Sequence, residues 1–316
     1  MLFENVAEQW FKSKSETLKI TTLERYRIIL EKYLCKNFGF YEMSEITSEK
    51  INVFVSESCI NLKSRTVKLI VCVFKNILCY SGRTGTAVEI KKIHIMKHAV
   101  SSLTLSESSR LNNELFLSDN PLDLGILLAL NTGIRLGEVC ALKYRDIDFS
   151  RCSIHITGTV HRIRTNLQGK RTVLVCLPPQ SESSVREVPV PQFIMKKLSH
   201  ISFSPDSFLL TGGPDKMPEP RTLERHFSEL SLKYFKRRVK FHDLRHTYAT
   251  ISISGGTDEK TVSEILGHAD VATTLTYYRG VNFDDKLGNV RVLEKMIGPK
   301  FQLRKTQTFP KIVAEH

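Results

Sequence analysis

The stretch FHDLRHT, residues 241–247, is the most informative segment for the fold and chemistry of this chain. His242 and Arg245 are three positions apart, so they share one face of a helix. That face would carry a permanent cation beside a side chain that can donate, accept or transfer a proton. An ordinary exposed polar helix has the same pattern, so the interpretation depends on the rest of the chain.

A second segment, TGIRLGE at residues 132–138, precedes this stretch. Gly133 is predicted to end one helix, and the next begins near Leu136. Arg135 is thereby placed at a helix junction, where its guanidinium can form two hydrogen bonds with a phosphate. Taken alone, the segment is more typical of a surface arginine in a turn.

Two segments follow the first stretch. In LGHAD, residues 266–270, Gly267 is predicted to end a helix with His268 immediately after it. In TTLTYYR, residues 273–279, Tyr277 offers a phenol oxygen. Its pKa is ordinarily about 10, so neighbouring positive charge or a base would have to activate it as a nucleophile. A structural histidine and a core tyrosine are the alternatives.

The order of these segments resembles the tyrosine recombinase, or phage integrase, family. An arginine, then His-x-x-Arg, then Gly-His and a tyrosine nine residues later match that family over about residues 100–285. The resemblance implies a mainly α protein with a small antiparallel β-sheet. Two domains, a helical core-binding domain and an α+β catalytic domain, would form a clamp around DNA.

The resemblance also implies a role for each residue. Arg135 and Arg245 would bind the non-bridging oxygens of the scissile phosphate and stabilise the transition state. His242 and His268 would add hydrogen bonds, with His242 assisting proton removal from the nucleophile. Tyr277 would attack the phosphate, giving a 3′-phosphotyrosyl link and a free 5′-hydroxyl.

The nine-residue spacing from His268 favours Tyr277 over its neighbour Tyr278 as the nucleophile. Because the covalent link conserves the phosphodiester energy, the reaction needs neither ATP nor a metal. The sequence shows no P-loop and no acidic metal cluster, so we expect no cofactor.

One family feature is missing from the turn PPQSESSVREVP at residues 178–189. The family usually carries there a lysine that protonates the leaving 5′-oxygen, and this chain has Gln180 and Glu182 in its place. Three explanations compete. Lys170 or Arg186 reaches the leaving group, the enzyme is slow but active, or the chain is a decayed element that still binds DNA. We favour the slow enzyme.

Charge and cysteine content agree with a cytoplasmic DNA-binding protein. The formal net charge is +13, which suits a polyanionic partner. The seven cysteines form no C-x-x-C pair and are typical of a reducing compartment. The N-terminus lacks a signal peptide, and the longest apolar stretch, about residues 125–130, is too short to span a membrane.

The periodicity of apolar residues divides the chain into four parts. By the resemblance, these would be a helical SAM-like core-binding domain at 1–85, a linker at 86–102, a catalytic domain at 103–290 and a tail at 291–316. Helices are predicted at Phe3–Phe11, Thr22–Tyr33, Thr47–Ser56, Ser64–Tyr80, Ser106–Phe116 and Leu122–Asn131, and again from Arg221 to about Ile297. Strands are predicted at Cys152–Val160, Arg171–Leu177 and Arg186–Val190.

The expected function is site-specific DNA recombination, for integration or excision of a mobile element. The expected partners are double-stranded core DNA sites, three further copies of the chain in a tetramer, and an accessory DNA-bending or excision factor. Residues 285–300 could dock on a neighbouring copy or pack on their own domain. The alternatives are a non-catalytic DNA-binding relative and a relaxing topoisomerase. The sequence does not identify the target DNA, nor does it distinguish integration, transposition and dimer resolution.

Overall fold

The computed structural model describes residues 1–82, 102–164, 172–179, 184–267 and 283–299. The predicted linker, the turn containing Gln180 and Glu182, and the segment with His268, Tyr277 and Tyr278 therefore lie outside the described residues. So do Lys170 and the tail beyond residue 299. The described part is mainly helical with small β-sheets, as predicted. The chain divides into two compact units, residues 1–99 with 163–171, and residues 100–162 with 172–316.

The first unit is a helical bundle around an aromatic core. Phe74 makes an edge contact with Phe3, at a centroid distance of 5.2 Å, and also packs on Phe38 at 4.8 Å. The predicted helix over Thr22–Tyr33 is interrupted by a π-helical turn, Leu30–Leu34. The α-helices are α1 (Phe3–Ser15), α2 (Ile20–Ile29), α3 (Cys35–Phe38), α4 (Ser48–Glu57) and α5 (Ser64–Tyr80).

The second unit is built around one helix that is buried almost along its whole length. This helix, α7, has Pro121 in its first turn and ends at Gly133, which has a left-handed φ of 67°. Its neighbours α6, α8, α10 and α11 pack against it. The helices are α6 (Leu105–Leu117), α7 (Pro121–Thr132), α8 (Leu136–Ala141), α9 (Gln192–Leu198), α10 (Pro220–Phe235), α11 (Phe241–Ser254), α12 (Glu259–Leu266) and α13 (Phe283–Ile297).

The strands form two small sheets rather than one. An antiparallel three-stranded sheet has the order β1-β2-β5, with Ile154 opposite Val188, and a separate sheet pairs β3 with β4. The predicted strand Cys152–Val160 was wrong in extent, because it divides between β2 and β3, and Cys152 has a left-handed φ of 51°. The strands are β1 (Ile147–Asp148), β2 (Ser153–Ile156), β3 (Thr159–Arg164), β4 (Thr172–Leu177) and β5 (Arg186–Pro189).

Helix α13 packs on its own unit. Leu293 and Ile297 are 0% and 1% exposed and belong to the core of that unit. The amide of Asn112 donates a hydrogen bond of 2.7 Å to the carbonyl of Ile297. The described residues therefore match the expectation of a helix packed on its own domain, while docking on a neighbouring copy stays a prediction. No helix in the described residues combines the length and the apolar character needed to cross a membrane.

Candidate active site

The buried member of the site is Arg245, on α11. Only 4% of this residue is exposed. Nη1 donates to the carbonyl of Gly133 at 2.9 Å, and Nη2 donates to the carbonyl of Leu266 at 2.7 Å. These acceptors are at the C-terminal ends of α7 and α12. The two helix ends that the sequence predicted, those of α7 and α12, therefore both contact Arg245.

Arg135 contacts the same end of α12. Its backbone N–H donates to the carboxylate of Glu138, and its guanidinium donates to the other oxygen of that carboxylate at 2.8 Å. Nη2 donates to the carbonyl of Gly267 at 3.0 Å, and Nη1 is 3.4 Å from that of Leu266. The structure therefore brings Arg135 and Arg245 together, although 110 positions separate them in the sequence.

A third arginine, Arg186 at the start of β5, completes the cluster. It donates from Nη1 and Nη2 to the two oxygens of Glu138, at 3.2 and 3.0 Å, and from Nε to the carbonyl of Ile265 at 2.6 Å. Only 9% of Arg186 is exposed. Its guanidinium is held by Glu138 and the carbonyl of Ile265, and a role of Arg186 at the leaving group stays a prediction.

Glu138 is the cluster residue that the sequence interpretation missed. It is 3% exposed and accepts from both Arg135 and Arg186. The available signal was its position, three residues after Arg135 in the first turn of α8, where an acidic side chain can accept from the preceding backbone. Nothing in the local sequence around Arg186 indicated that it would reach the same carboxylate.

The charges within the cluster affect the pKa values of Glu138 and Arg245. Burial opposes ionisation of Glu138, but the hydrogen bonds and charge of Arg186, aided by Arg135, outweigh burial and lower its pKa. Burial, together with the charges of Arg135 and Arg186, lowers the pKa of Arg245 below its ordinary value. A guanidinium nevertheless stays protonated at neutral pH. Three cations and one carboxylate leave a net charge of +2, which favours an anion.

The arginines bind three successive carbonyls at the end of α12. Those of Ile265, Leu266 and Gly267 accept from Arg186, Arg245 and Arg135 respectively. The C-terminal end of a helix carries partial negative charge, which stabilises cations there. Gly267 then adopts a left-handed φ of 66°, as expected for a helix end.

The chain continues from Gly267 directly into the segment with the two remaining predicted site residues. His268 is the next residue, and Tyr277 follows nine positions later. Both lie outside the described residues, as does Tyr278. The described geometry therefore fixes the start of this segment beside Arg135, and the roles of His268 and Tyr277 stay predictions.

Close packing at Gly133 supports the cluster. A Cβ built on this glycine would overlap Leu266 and lie 2.8 Å from Cδ1 of Tyr248. The glycine is thus required both by its left-handed φ and by the side chains packed over it. Because its carbonyl accepts from Arg245, this packing helps to fix the guanidinium.

His242 lies in the first turn of α11 with an exposed ring. The ring makes an edge contact with His246, at a centroid distance of 4.9 Å. Neighbouring protein atoms partly desolvate the imidazole, and the charges of His246 and Arg245 act in the same direction, so the pKa of His242 is lowered. The neutral ring present at pH 7 can accept a proton.

The described residues contain no group of three or more histidine, cysteine, aspartate or glutamate side chains that could hold a metal ion. The seven cysteines are all free thiols. The possible chemistry of the described cluster is thus that of a preorganised cationic pocket. Such a pocket can bind a phosphate group and stabilise charge that develops on it.

Comparison with known proteins identifies the class. Residues 101–284 match the model described as the phage integrase family, and residues 2–58 match that of the phage integrase N-terminal SAM-like domain. The first match alone covers more than half of the chain. The chain therefore belongs to the phage integrase family of tyrosine recombinases.

Individual relatives include a tyrosine recombinase and a putative prophage integrase. The chain is 26% identical over 286 residues to the tyrosine recombinase XerA of Pyrococcus furiosus, covering 88% of this chain and 90% of XerA. It is 21% identical over 300 residues to a putative prophage phiRv2 integrase of Mycobacterium tuberculosis, covering 90% and 76%.

Solved structures share the fold. The Tn1549 transposon integrase, in complex with transposon right end DNA, has a TM-score of 0.70 at 16% identity, covering 93% of this chain and 99% of that one. A lambda integrase dimer bound to a core site has a TM-score of 0.59 at 18% identity, covering 89% and 99%.

Proposed function

We propose that the chain is a site-specific DNA recombinase that cuts and rejoins double-stranded DNA through a 3′-phosphotyrosyl intermediate. The observation that carries the proposal is the convergence of Arg135 and Arg245 on the end of α12, one residue before His268. Family membership supplies the reaction class, and the cluster supplies a cationic pocket next to the segment that contains Tyr277.

In the proposed reaction, the phenol oxygen of Tyr277 attacks the scissile phosphorus, and the bond to the 5′-oxygen breaks. His242 accepts the phenol proton, consistent with its neutral state at pH 7. Arg135 and Arg245 bind the non-bridging oxygens, and His268 adds a hydrogen bond. The reverse attack by a 5′-hydroxyl on the phosphotyrosyl bond rejoins the strand, so no cofactor is consumed.

The donor inventory of the arginines supports this assignment. A guanidinium carries five N–H groups. The described part of the chain supplies acceptors for three hydrogen bonds of the Arg135 side chain and two of Arg245. Each arginine can therefore keep its contacts with α12 while donating to a phosphate oxygen. Loss of one such donor typically costs about 10²–10³ in rate.

We further propose a core-binding domain at residues 1–85, a linker at 86–102, a catalytic domain at 103–290 and a tail at 291–316. A groove between α2 and α5 in the first unit supports DNA contact by the core-binding domain. Its basic lining residues are Arg25, Lys63, Arg65 and Lys68. Phosphate contacts by such residues give affinity that falls steeply with salt concentration.

The proposed partner is duplex DNA at core recombination sites, held in a two-domain clamp by a tetramer of this chain in the cytoplasm. A lambda integrase has been solved as a tetramer bound to a Holliday junction, which supports this arrangement. An accessory DNA-bending or excision factor completes the proposal. A mobile element is the favoured context because the relatives include a prophage integrase and the fold matches a transposon integrase.

A slow but active enzyme is the proposed consequence of the missing lysine. Gln180 and Glu182 stand where family members carry lysines, and Arg186 is occupied by Glu138. Loss of a general acid typically costs about 10²–10⁴ in rate. The same observation favours a second candidate function, that of a catalytically impaired relative that acts by binding DNA.

Covalent trapping on a nicked suicide DNA substrate tests the two candidates. The enzyme forms a protein–DNA adduct with wild type and Tyr278→Phe, and none with Tyr277→Phe. An adduct from Tyr277→Phe would show that the assigned nucleophile is wrong. Absence of any adduct, with retained DNA binding, would favour the impaired relative. Strand exchange between two duplexes then separates a recombinase from a topoisomerase.

Restoring the lysine tests the proposed cause of slow cleavage. Gln180→Lys and Glu182→Lys are compared with wild type for the initial rate of adduct formation on the same DNA. One of them is expected to accelerate cleavage if the leaving oxygen lacks a proton donor. Equal rates for all three proteins would contradict that explanation. Lys170→Ala serves as the parallel test of whether Lys170 supplies the proton.

A further inference from the structure

Tyr248 connects the arginine cluster to α13. Its ring packs over Gly133, whose carbonyl binds Arg245. Its hydroxyl accepts a hydrogen bond of 2.6 Å from the side-chain amide of Asn289, on α13. Only 1% of Tyr248 is exposed. Burial raises its pKa well above the usual value, so the phenol stays protonated and cannot itself reach a DNA phosphate.

Asn289 uses both ends of its amide. Nδ2 donates to Tyr248, and Oδ1 accepts from the hydroxyl of Thr257 at 2.8 Å. The residue is 1% exposed, so no solvent can replace these partners. An unpartnered polar group at such a position is costly. The two bonds therefore fix the position of α13 against α11 and the turn that follows α11.

The segment between α12 and α13 consequently has two fixed ends. At its start, the carbonyls of Leu266 and Gly267 bind Arg245 and Arg135. At its end, α13 begins at Phe283 and is bound through Asn289. Tyr277 lies between these ends in the sequence. Both ends thus depend on the same arginine cluster, directly at one end and through Tyr248 at the other.

We propose that Tyr248 and Asn289 are positioning residues for the nucleophile, acting by holding α13 in register with the phosphate-binding arginines. The inference rests on the proposed function, because it takes Tyr277 as the attacking residue. Its physical basis is that attack requires near-ideal placement, and a shift of about 1 Å can cost about 10²-fold in rate.

Two reactions at the same phosphate separate positioning from general structural support. The first is formation of the Tyr277 adduct on nicked suicide DNA, at saturating protein. The second uses a Tyr277→Phe background, in which added hydroperoxide attacks the phosphorus and the 5′-oxygen leaves. The second reaction needs the arginine pocket but not a correctly placed tyrosine. Asn289→Leu and Tyr248→Phe are each made in the wild-type chain and in the Tyr277→Phe chain. Tyr248→Phe keeps the aromatic ring over Gly133.

Ser231→Ala is the matched control. Ser231 is 0% exposed, and its hydroxyl accepts from the backbone N–H of Val239. Like Tyr248→Phe, this change removes one hydroxyl and leaves a buried N–H without its acceptor, but away from α13. We expect adduct formation to fall about 10–100-fold for both α13 variants. Peroxide cleavage and DNA affinity should stay close to those of the control.

The outcomes distinguish failure of this inference from failure of the proposed function. Adduct rates equal to those of Ser231→Ala would overturn the inference while leaving the wild-type adduct, and so the proposed function, intact. A parallel loss of adduct and peroxide cleavage would also overturn it, since the pair would then only support the cluster. Absence of an adduct from the wild type would instead refute the proposed function, and an adduct from Tyr277→Phe would overturn the inference by showing that Tyr277 is not the nucleophile. If Asn289→Leu does not fold, Tyr248→Phe decides the question.

Discussion

Replacing Glu138 by glutamine keeps the shape of the side chain and removes the carboxylate that holds Arg135 and Arg186. The wild-type carboxylate is 3% exposed and accepts from both guanidiniums and from the backbone N–H of Arg135. Glutamine offers one acceptor oxygen and turns an NH₂ group towards a donor. Arg186, itself 9% exposed, would be left as a buried cation without a counter-charge.

The structure sets the expected magnitude. Removing one partner of a buried ion pair typically destabilises by about 3–5 kcal/mol, because the other charge stays buried and unpaired. The total stability of a domain is typically about 5–15 kcal/mol, so Glu138→Gln should remove a large part of it. Glu107→Gln is a matched control. Glu107 also accepts from the residue before its helix and pairs with an arginine, Arg237, but their side chains are 23% and 37% exposed. Its loss should cost less than about 1 kcal/mol.

Urea unfolding of the full chain at pH 7 measures the difference. Circular dichroism follows the helices of both units, while the single tryptophan, Trp10, is buried in the first unit and reports on it by fluorescence. Glu138→Gln should lower the dichroism midpoint strongly, and Glu107→Gln only slightly. If the two variants unfold at the same urea concentration, the account of Glu138 as the counter-charge of the cluster is refuted.

Acid dependence provides a second measurement on the same variant. The folded-state pKa of Glu138 is depressed, so its contribution is present above the unfolded value of about 4.3 and is lost as pH falls through the folded pKa. The difference in stability between wild type and Glu138→Gln should therefore be constant near neutrality and shrink below about pH 4.3. A difference that grows on acidification would contradict the lowered pKa.

Three further perturbations have defined outcomes. Arg245→Lys should lower the cleavage rate by about 10²–10³ while DNA affinity changes little, because a lysine cannot reproduce the forked contacts to Gly133 and Leu266. Equal cleavage rates would exclude that role. Gly133→Ala should destabilise by at least about 1–2 kcal/mol in thermal or urea unfolding, since φ is left-handed and Tyr248 occupies the space. Because the pKa of His242 is lowered, the cleavage rate should stay constant from pH 8 to about 6.5 and decline at lower pH. A cleavage rate that already declines at pH 7.5 would argue against His242 as the base.

The helical part of the site could be predicted from short-range signals. Glycine with a left-handed φ ends α7 and α12 where the sequence indicated, at Gly133 and Gly267. The spacing of His242 and Arg245 placed both on one turn of α11. These features depend on local backbone preferences, which a sequence expresses within a few residues.

Long-range partners could not be predicted in the same way. Nothing near Arg186 shows that it faces Glu138, because that contact depends on how β5 and α8 are brought together. The predicted strand Cys152–Val160 divides at Thr157 and Gly158, and Cys152, which precedes β2, adopts a left-handed conformation uncommon outside glycine. Likewise, the amphipathic sequence of α13 does not show that the helix contacts Asn112 and the core of its own unit.

Burying the arginine cluster costs free energy on folding, and the way in which the protein offsets that cost bears on function. Burying guanidiniums is unfavourable unless acceptors surround them, and here the acceptors are helix-end carbonyls and one carboxylate. Burial lowers the pKa of Arg245, and the net positive charge of the cluster lowers it further. A second glutamate would lower the net charge of the cluster from +2 to +1 and offset more of the cost of burial, but it would also weaken the attraction for a phosphate. The arrangement therefore has the electrostatic character of a site that binds an anionic group.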